Sequence, residues 1–143
     1  MAMGPTEVVN RAVYSRIRND SDIIAELGSY AIYNTSASQF APDDYIVFTS
    51  GVDDDDLDVS TQAARNRDLL YEMVAVSNDK TKAVKLSDLL DTAFHFQFLT
   101  LAESWSNIWI ARERSIQFTN YDEHGRIIYT EGFTLRIRIE KPN

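Results

Sequence analysis

"IWIARERSIQFTNY" (residues 108–121) and "RIIYTEGFTLRIRIE" (126–140) flank the short segment "DEHG" (122–125). In the second arm Tyr129, Phe133, Leu135, Ile137 and Ile139 alternate with Thr130, Thr134, Arg136, Arg138 and Glu140. Alternation at every second residue gives a strand with one buried face and one wet face. Four residues ending in Gly125 suit a hairpin turn with a left-handed glycine. Each arm spans roughly 45 Å at about 3.3 Å per residue, far beyond the typical strand of about 5–6 residues. Arms of that length either bend, with Gly132 as the place, or reach past their own subunit.

The segments before the hairpin divide into helices and further strands. "PTEVVNRAVYSRIRND" places Val8, Val9, Ala12, Val13 and Ile17 on one helical stripe, with Pro5 and Thr6 as start signals and Glu7, Asn10, Arg11 and Arg18 on the polar face. "NDSDIIAELG" predicts a cap at Asp20 or Ser21, a short helix, and a stop at Gly28. "YAIYNT" and "APDDYIVFTSG" read as strands. "DLLYEMVAVSND" is apolar on both faces, which predicts a central strand. "KTKAVKLSDLLDTAFHF" returns to helical spacing through Ala83, Leu86, Leu89, Leu90, Ala93 and Phe94, although lysines in its first turn oppose the helix dipole. Strands and helices do not alternate, so a doubly wound parallel sheet is not expected. The expected class is α+β, one domain over residues 1–143. An antiparallel sheet carries the long C-terminal hairpin, and two main helices pack on one face.

Composition bounds the chemistry. Of 22 acids, seven aspartates fall within residues 43–58, where there is no Lys or Arg; the remaining 15 nearly balance the 14 bases. The net charge of −8 therefore belongs almost wholly to one segment, and a basic grip on nucleic acid is not expected. Cysteine is absent, which removes disulfides and thiolate metal sites and fits an intracellular product. No run of about 18 apolar residues exists for a membrane span, and the N-terminus lacks the apolar core of a secretory signal. The segment "TSGVDDDDLDVSTQ" reads as a flexible acidic loop at about 51–64. An EF-hand beginning at Asp53 would need Gly where Asp58 stands and Glu where Ala64 stands. Like charges in a row repel and extend the chain, so a solvated loop is the plain reading.

No catalytic or cofactor motif is present. HExxH, GxSxG, Walker A and GxGxxG are missing, His124 falls in the hairpin turn, and His95 falls near a helix end. Neither an enzymatic role nor a cofactor nor a metal is expected. Trp105, Trp109, Phe118 and Tyr121 suit core or interface packing better than base stacking, since no basic groove accompanies them. Arg112, Arg114, Arg136 and Arg138 recur on two strands that pair, so their charges gather on the hairpin. Glu113 and Glu140 are the acids close to them, and a locally positive face is expected. A positive ribbon and an acidic run (Asp53, Asp54, Asp55, Asp56 and Asp58) on one neutral body suggest head-to-tail self-association; a solvated sheet face is the alternative.

The layout from about Glu7 to Lys141 resembles the tail-terminator, or tail-completion, proteins of long-tailed bacteriophages. The segments that carry the resemblance are "VVNRAVYSRIRNDSDIIAELG", "DDYIVFTSG", "LLYEMVAVSND", "KAVKLSDLLDTAF" and the C-terminal hairpin. The resemblance implies a structural virion protein that assembles in the host cytoplasm as a homohexameric ring. That ring caps the head-proximal end of the tail tube, ends tube growth and offers a surface to the neck or head-completion protein. Double-stranded DNA passes through the lumen without specific binding. No cofactor or membrane is implied. The alternatives are a neck connector of similar layout and a small cytoplasmic ligand-binding α+β module, the latter needing an apolar pocket between sheet and helix. The acidic run matches no motif of the family. Replacing its five aspartates with Asn is expected to leave the fold intact by circular dichroism. Unchanged assembly of that variant on tubes would show that the run has no assembly role.

Overall fold

Val8, Val9, Val13 and Ile17 are all buried, and they build the inner face of the first helix, α1 (Pro5–Arg18). The computed structural model describes residues 4–57 and 64–142. Pro5 stands at the start of α1, where a missing N–H costs nothing, and Arg16 and Arg18 sit in its last turn, where cations suit the dipole. Asp20 then caps α2 (Ser21–Leu27), accepting from the backbone N–H groups of Asp22 and Ile23 at 3.0 and 3.1 Å. Gly28, at φ 78°, ends it.

Five strands form one sheet in the order β1-β2-β3-β5-β4. They are β1 (Ile32–Asn34), β2 (Tyr45–Leu57), β3 (Ala64–Ser77), β4 (Ser106–Tyr121) and β5 (Ile127–Pro142), with α3 (Lys80–Phe94) between β3 and β4. All pairings are antiparallel except β1 with β2. The loop 35–44 carries the chain back so that β2 starts beside β1 in the same direction, and the sheet is mixed at that margin. Strand β3 is central, as its apolar run predicts. The acidic run differs from expectation. Up to Leu57 it is strand, not loop: Asp53, Asp54, Asp55 and Asp56 lie opposite Leu69, Asp68, Arg67 and Asn66. A ladder to β3 overrides the poor strand propensity of aspartate. Asp58 lies outside the described residues.

The helices cover one face. Ile46 and Phe48 of β2 and Leu69, Tyr71, Met73 and Ala75 of β3 point to it. So do Ile110 of β4 and Phe133, Leu135, Ile137 and Ile139 of β5, all closing against Ile17, Ile23, Leu86, Leu90 and Phe94. Each large side chain so buried contributes about 1.5–3 kcal/mol before ordering costs. The Tyr71 hydroxyl donates to Asn10 Oδ1 and fixes α1 over the central strand. The expected burial of Tyr129 is not seen. It is half-buried, and Thr130 on the opposite face is buried instead. The core cluster on β5 ends at Phe133.

The β5 arm finds partners on both sides within the chain. Strand β3 pairs β5 from Ala64↔Pro142 to Ser77↔Tyr129, so a partner of equal reach flanks the hairpin. Gly132 marks a close approach in that ladder. A Cβ there would lie 1.9 Å from the carbonyl oxygen of Met73. Gly132→Ala is expected to cost about 3 kcal/mol in urea unfolding, because backbone must move. At Gly4 nothing lies within 4 Å of an added Cβ, and Gly4→Ala should stay within about 1 kcal/mol.

The entry to α3 holds a small polar cluster. Ser77, fully buried, donates to Asp44 Oδ1 at 2.6 Å and accepts from the Asp79 N–H at 3.0 Å, while Lys82 pairs with Asp44 at 2.9 Å. Burial alone would raise the Asp44 pKa. The Ser77 hydrogen bond and the Lys82 ammonium outweigh it and hold the carboxyl below its ordinary value. A depressed folded-state pKa stabilises above the unfolded value and is lost as pH falls through the folded one. Asp44→Asn should therefore lose about 1 kcal/mol at neutral pH. That deficit should shrink toward zero in strong acid, read by urea titrations across the acid range.

Candidate functional site

The sheet face away from the helices carries the charges that the alternation of β5 predicts. Asp68 of β3, Arg138 of β5 and Trp109 of β4 stand in one cross-strand row, and Leu70, Arg136 and Ala111 in the next. Arg138 Nε lies 3.6 Å from Asp68, and Arg136 lies 4.0 Å from Asp68 and 3.3 Å from Glu113. The expected positive ribbon is thus compensated within the chain. These arginines are about 30% exposed, which keeps the pairs at the modest strength of partly screened ion pairs.

The four hairpin arginines are not together. Arg112 pairs with Leu135 on the core side, where its guanidinium reaches Asp91 of α3 at 3.4 Å, the Ser115 hydroxyl at 2.7 Å and the Phe133 ring at 5.0 Å. A register shift between Arg112 and Arg114 inserts one extra residue. That bulge turns Arg114 to the opposite face, beside Thr134. Arg114 is exposed there, with Arg136 and Arg138 on the same face. Asp68 and Asp91 escaped the sequence reading. Asp68 lies an even number of residues from Glu72 on the polar side of β3, but its partners follow only from the register.

Of the acidic candidates, Asp53, Asp54, Asp55 and Asp56 occupy the outer strand β2, two strands from β5, with β3 between. Two strands, β3 and β5, separate that stretch from β4. Among the described residues no group of three or more His, Cys, Asp or Glu side chains gathers as a metal would require. His95, at the C-terminal end of α3, accepts the Arg112 backbone N–H on Nδ1 at 3.0 Å. The adjacent Phe96 N–H donates to the Ile110 carbonyl at 3.1 Å. This linker therefore covers the outer edge of β4 around residues 110–112. His124 sits in the hairpin turn, which Asp122 organises by accepting from His124 N, Arg126 N and Arg126 Nε. Arg126 also reaches Asp43 at 3.5 Å, bracing the hairpin tip against the start of β2.

The aromatic residues part in the same way. Trp105 is buried, with Lys141 over its ring at 5.6 Å, whereas Phe118 and Tyr121 are exposed along β4. Two open grooves flank α1, of about 530 and 700 Å³. Arg16 closes one side of the first by donating to the Phe98 carbonyl. The first runs between α1 and residues 99–102, and the second opens between α1 and Asn34 and Phe48 of the sheet.

What the geometry offers is two unlike sheet margins. One is the acidic strand β2, which β1 covers only at Ile46, Val47 and Phe48. The other is β4, covered by the His95–Phe96 linker and then open. Exposed backbone edges bind by adding a strand, without a catalytic constellation.

No family model matches the sequence, and no curated protein matches it. The fold does have a counterpart among solved structures. A chain in the structure titled "Virion of native gene transfer agent (GTA) particle" superposes with a TM-score of 0.69. The match covers 97% of this chain and 99% of that one at 15% sequence identity. The protein thus shares its α+β fold, end to end, with a component of that particle.

Proposed function

We propose that the protein is a structural virion component that closes the head-proximal end of a phage-type tail tube as a ring, ending tube growth and presenting the surface to which the neck attaches. The observation that carries this reading is the end-to-end fold likeness to a chain of a virion particle. It agrees with the tail-terminator resemblance of the sequence segments. A closed ring of identical subunits needs two different complementary surfaces on each, and the margins at β2 and β4 are two such surfaces. The partners in this reading are other copies of the chain, the tail tube protein and a neck or head-completion protein. Catalysis and a cofactor have no part in it. The chain resides in the virion, having assembled in the host cytoplasm.

The electrostatics suit passage of DNA through a lumen. A net charge of −8 and an arginine face neutralised by Asp68 and Glu113 leave little to hold phosphates. A neck connector is the second reading, because the same likeness to a virion chain serves it.

Polymerisation of the cognate tail tube protein in the presence of this chain separates the two. Terminator action is expected to shorten the tubes in proportion to added protein, with density at one end in electron micrographs. Tubes of unchanged length, with binding to the portal or adaptor ring, would replace the terminator with the connector. Binding to neither would overturn both.

A further inference from the structure

The sheet of this molecule has two long free margins of matched length. On β2 the outer edge beyond β1 runs through residues 49–57, and on β4 the outer edge beyond the His95–Phe96 cover runs through residues 113–121, nine residues each. Among the described residues neither stretch has a strand beside it on its outer side. Soluble proteins blunt such edges with lysine, proline or charge. Residues 115–121, "SIQFTNY", carry none of these. Phe118 and Tyr121 are 54% and 65% exposed there, and Phe96, beside the covered part of the same edge, is 70% exposed. This margin has the composition of a strand that expects a partner.

The β2 margin is the reverse. Four consecutive aspartates, Asp53 to Asp56, would face their own copies in a symmetric β2–β2 contact centred on them, and like charges directly opposite are destabilising. The end of the β4 margin nearest its cover instead carries Arg112 and Arg114 around Glu113. Strands β2 and β5 run one way, and β3 and β4 the other. A rotation about an axis along the strands preserves those directions. Strand β4 of one copy then meets β2 of the next antiparallel, with no further rearrangement.

We infer that the 113–121 edge of one copy pairs antiparallel with the 49–57 edge of the next, joining the sheets of neighbouring subunits into one continuous sheet. Aligning the two open lengths from the end that sets Arg114 across from Asp56 brings Gln117 across from Asp53 and, past the register shift between Ser50 and Asp53, Thr119 across from Ser50. Backbone hydrogen bonds supply the contact, and the arginine–aspartate end fixes its register and its head-to-tail sense. This inference rests on the ring reading, since a repeated heterologous contact either closes into a ring or runs on as a filament.

Because the chain has no cysteine, introduced thiols report the contact directly. Ser50→Cys and Thr119→Cys are made as separate full-length variants, each checked for native circular dichroism. They are mixed at concentrations spanning the association, oxidised, and read on non-reducing gels beside light scattering. Gln117→Cys with Asp53→Cys serves as a second pair should Thr119→Cys fold poorly. The expected result is a mixed disulfide at least about tenfold above either homodimer, as a heterologous contact requires. Efficient crosslinking of Thr119→Cys alone would mean a symmetric β4–β4 dimer and would overturn the inference. An oligomer without the mixed crosslink at either β4 position would overturn the strand pairing and leave the ring standing. A monomer of 16.3 kDa at every concentration would also overturn it, whereas tube capping, read separately by tube length, would survive as docking on the tube.

Discussion

Strand β3 is laddered along both sides, to β2 from Leu57↔Arg65 to Tyr45↔Val76 and to β5 from Ala64↔Pro142 to Ser77↔Tyr129. Its inward residues Leu69, Tyr71, Met73 and Ala75 form the floor on which α1, α2 and α3 lie. Its outward residue Asp68 holds Arg136 and Arg138. The hairpin arms can be long because β3 gives β5 a neighbour over its whole described contact. Gly132 is the condition of that closeness, since any side chain would displace the backbone of β3 at Met73.

Periodicity made much of this legible in advance. The α1 stripe, the α3 stripe, the Asp20 cap and the alternation of β5 from Phe133 to Ile139 are local patterns, and they stand in the structure as read. The misreadings came where a distant strand decides. Residues 53–56 are poor strand formers by composition, and only the ladder to residues 66–69 makes them strand. The arginines of β4 were expected on one ribbon by period two. A single bulged residue after Arg112 sends it to the core side and Arg114 to the other. Nothing in the short run "ARER" marks that extra residue.

The ion pairs of the outer face show the same dependence. Charge along the hairpin alone reads as positive, but Asp68 reaches the outer face from the adjacent strand, and Asp91 of α3 takes Arg112 on the core side. The face is therefore a set of internal pairs rather than a single-sign patch, and its long-range field is weak. The acidic excess stays on β2, at the opposite side of the sheet from β4. An uneven charge distribution of that kind favours a head-to-tail sense of approach over a symmetric one.

The twofold lamination of β3 also has a mechanical meaning. A pull along the strands would load the β2–β3 and β3–β5 ladders in shear, with many hydrogen bonds sharing the force at once. A pull across the strands would open them one at a time. Forced unfolding is governed by the rate of reaching the unfolding barrier rather than by equilibrium stability. The sheet is thus stiff along its strands and easier to part across them, and its strength depends on the direction from which it is loaded.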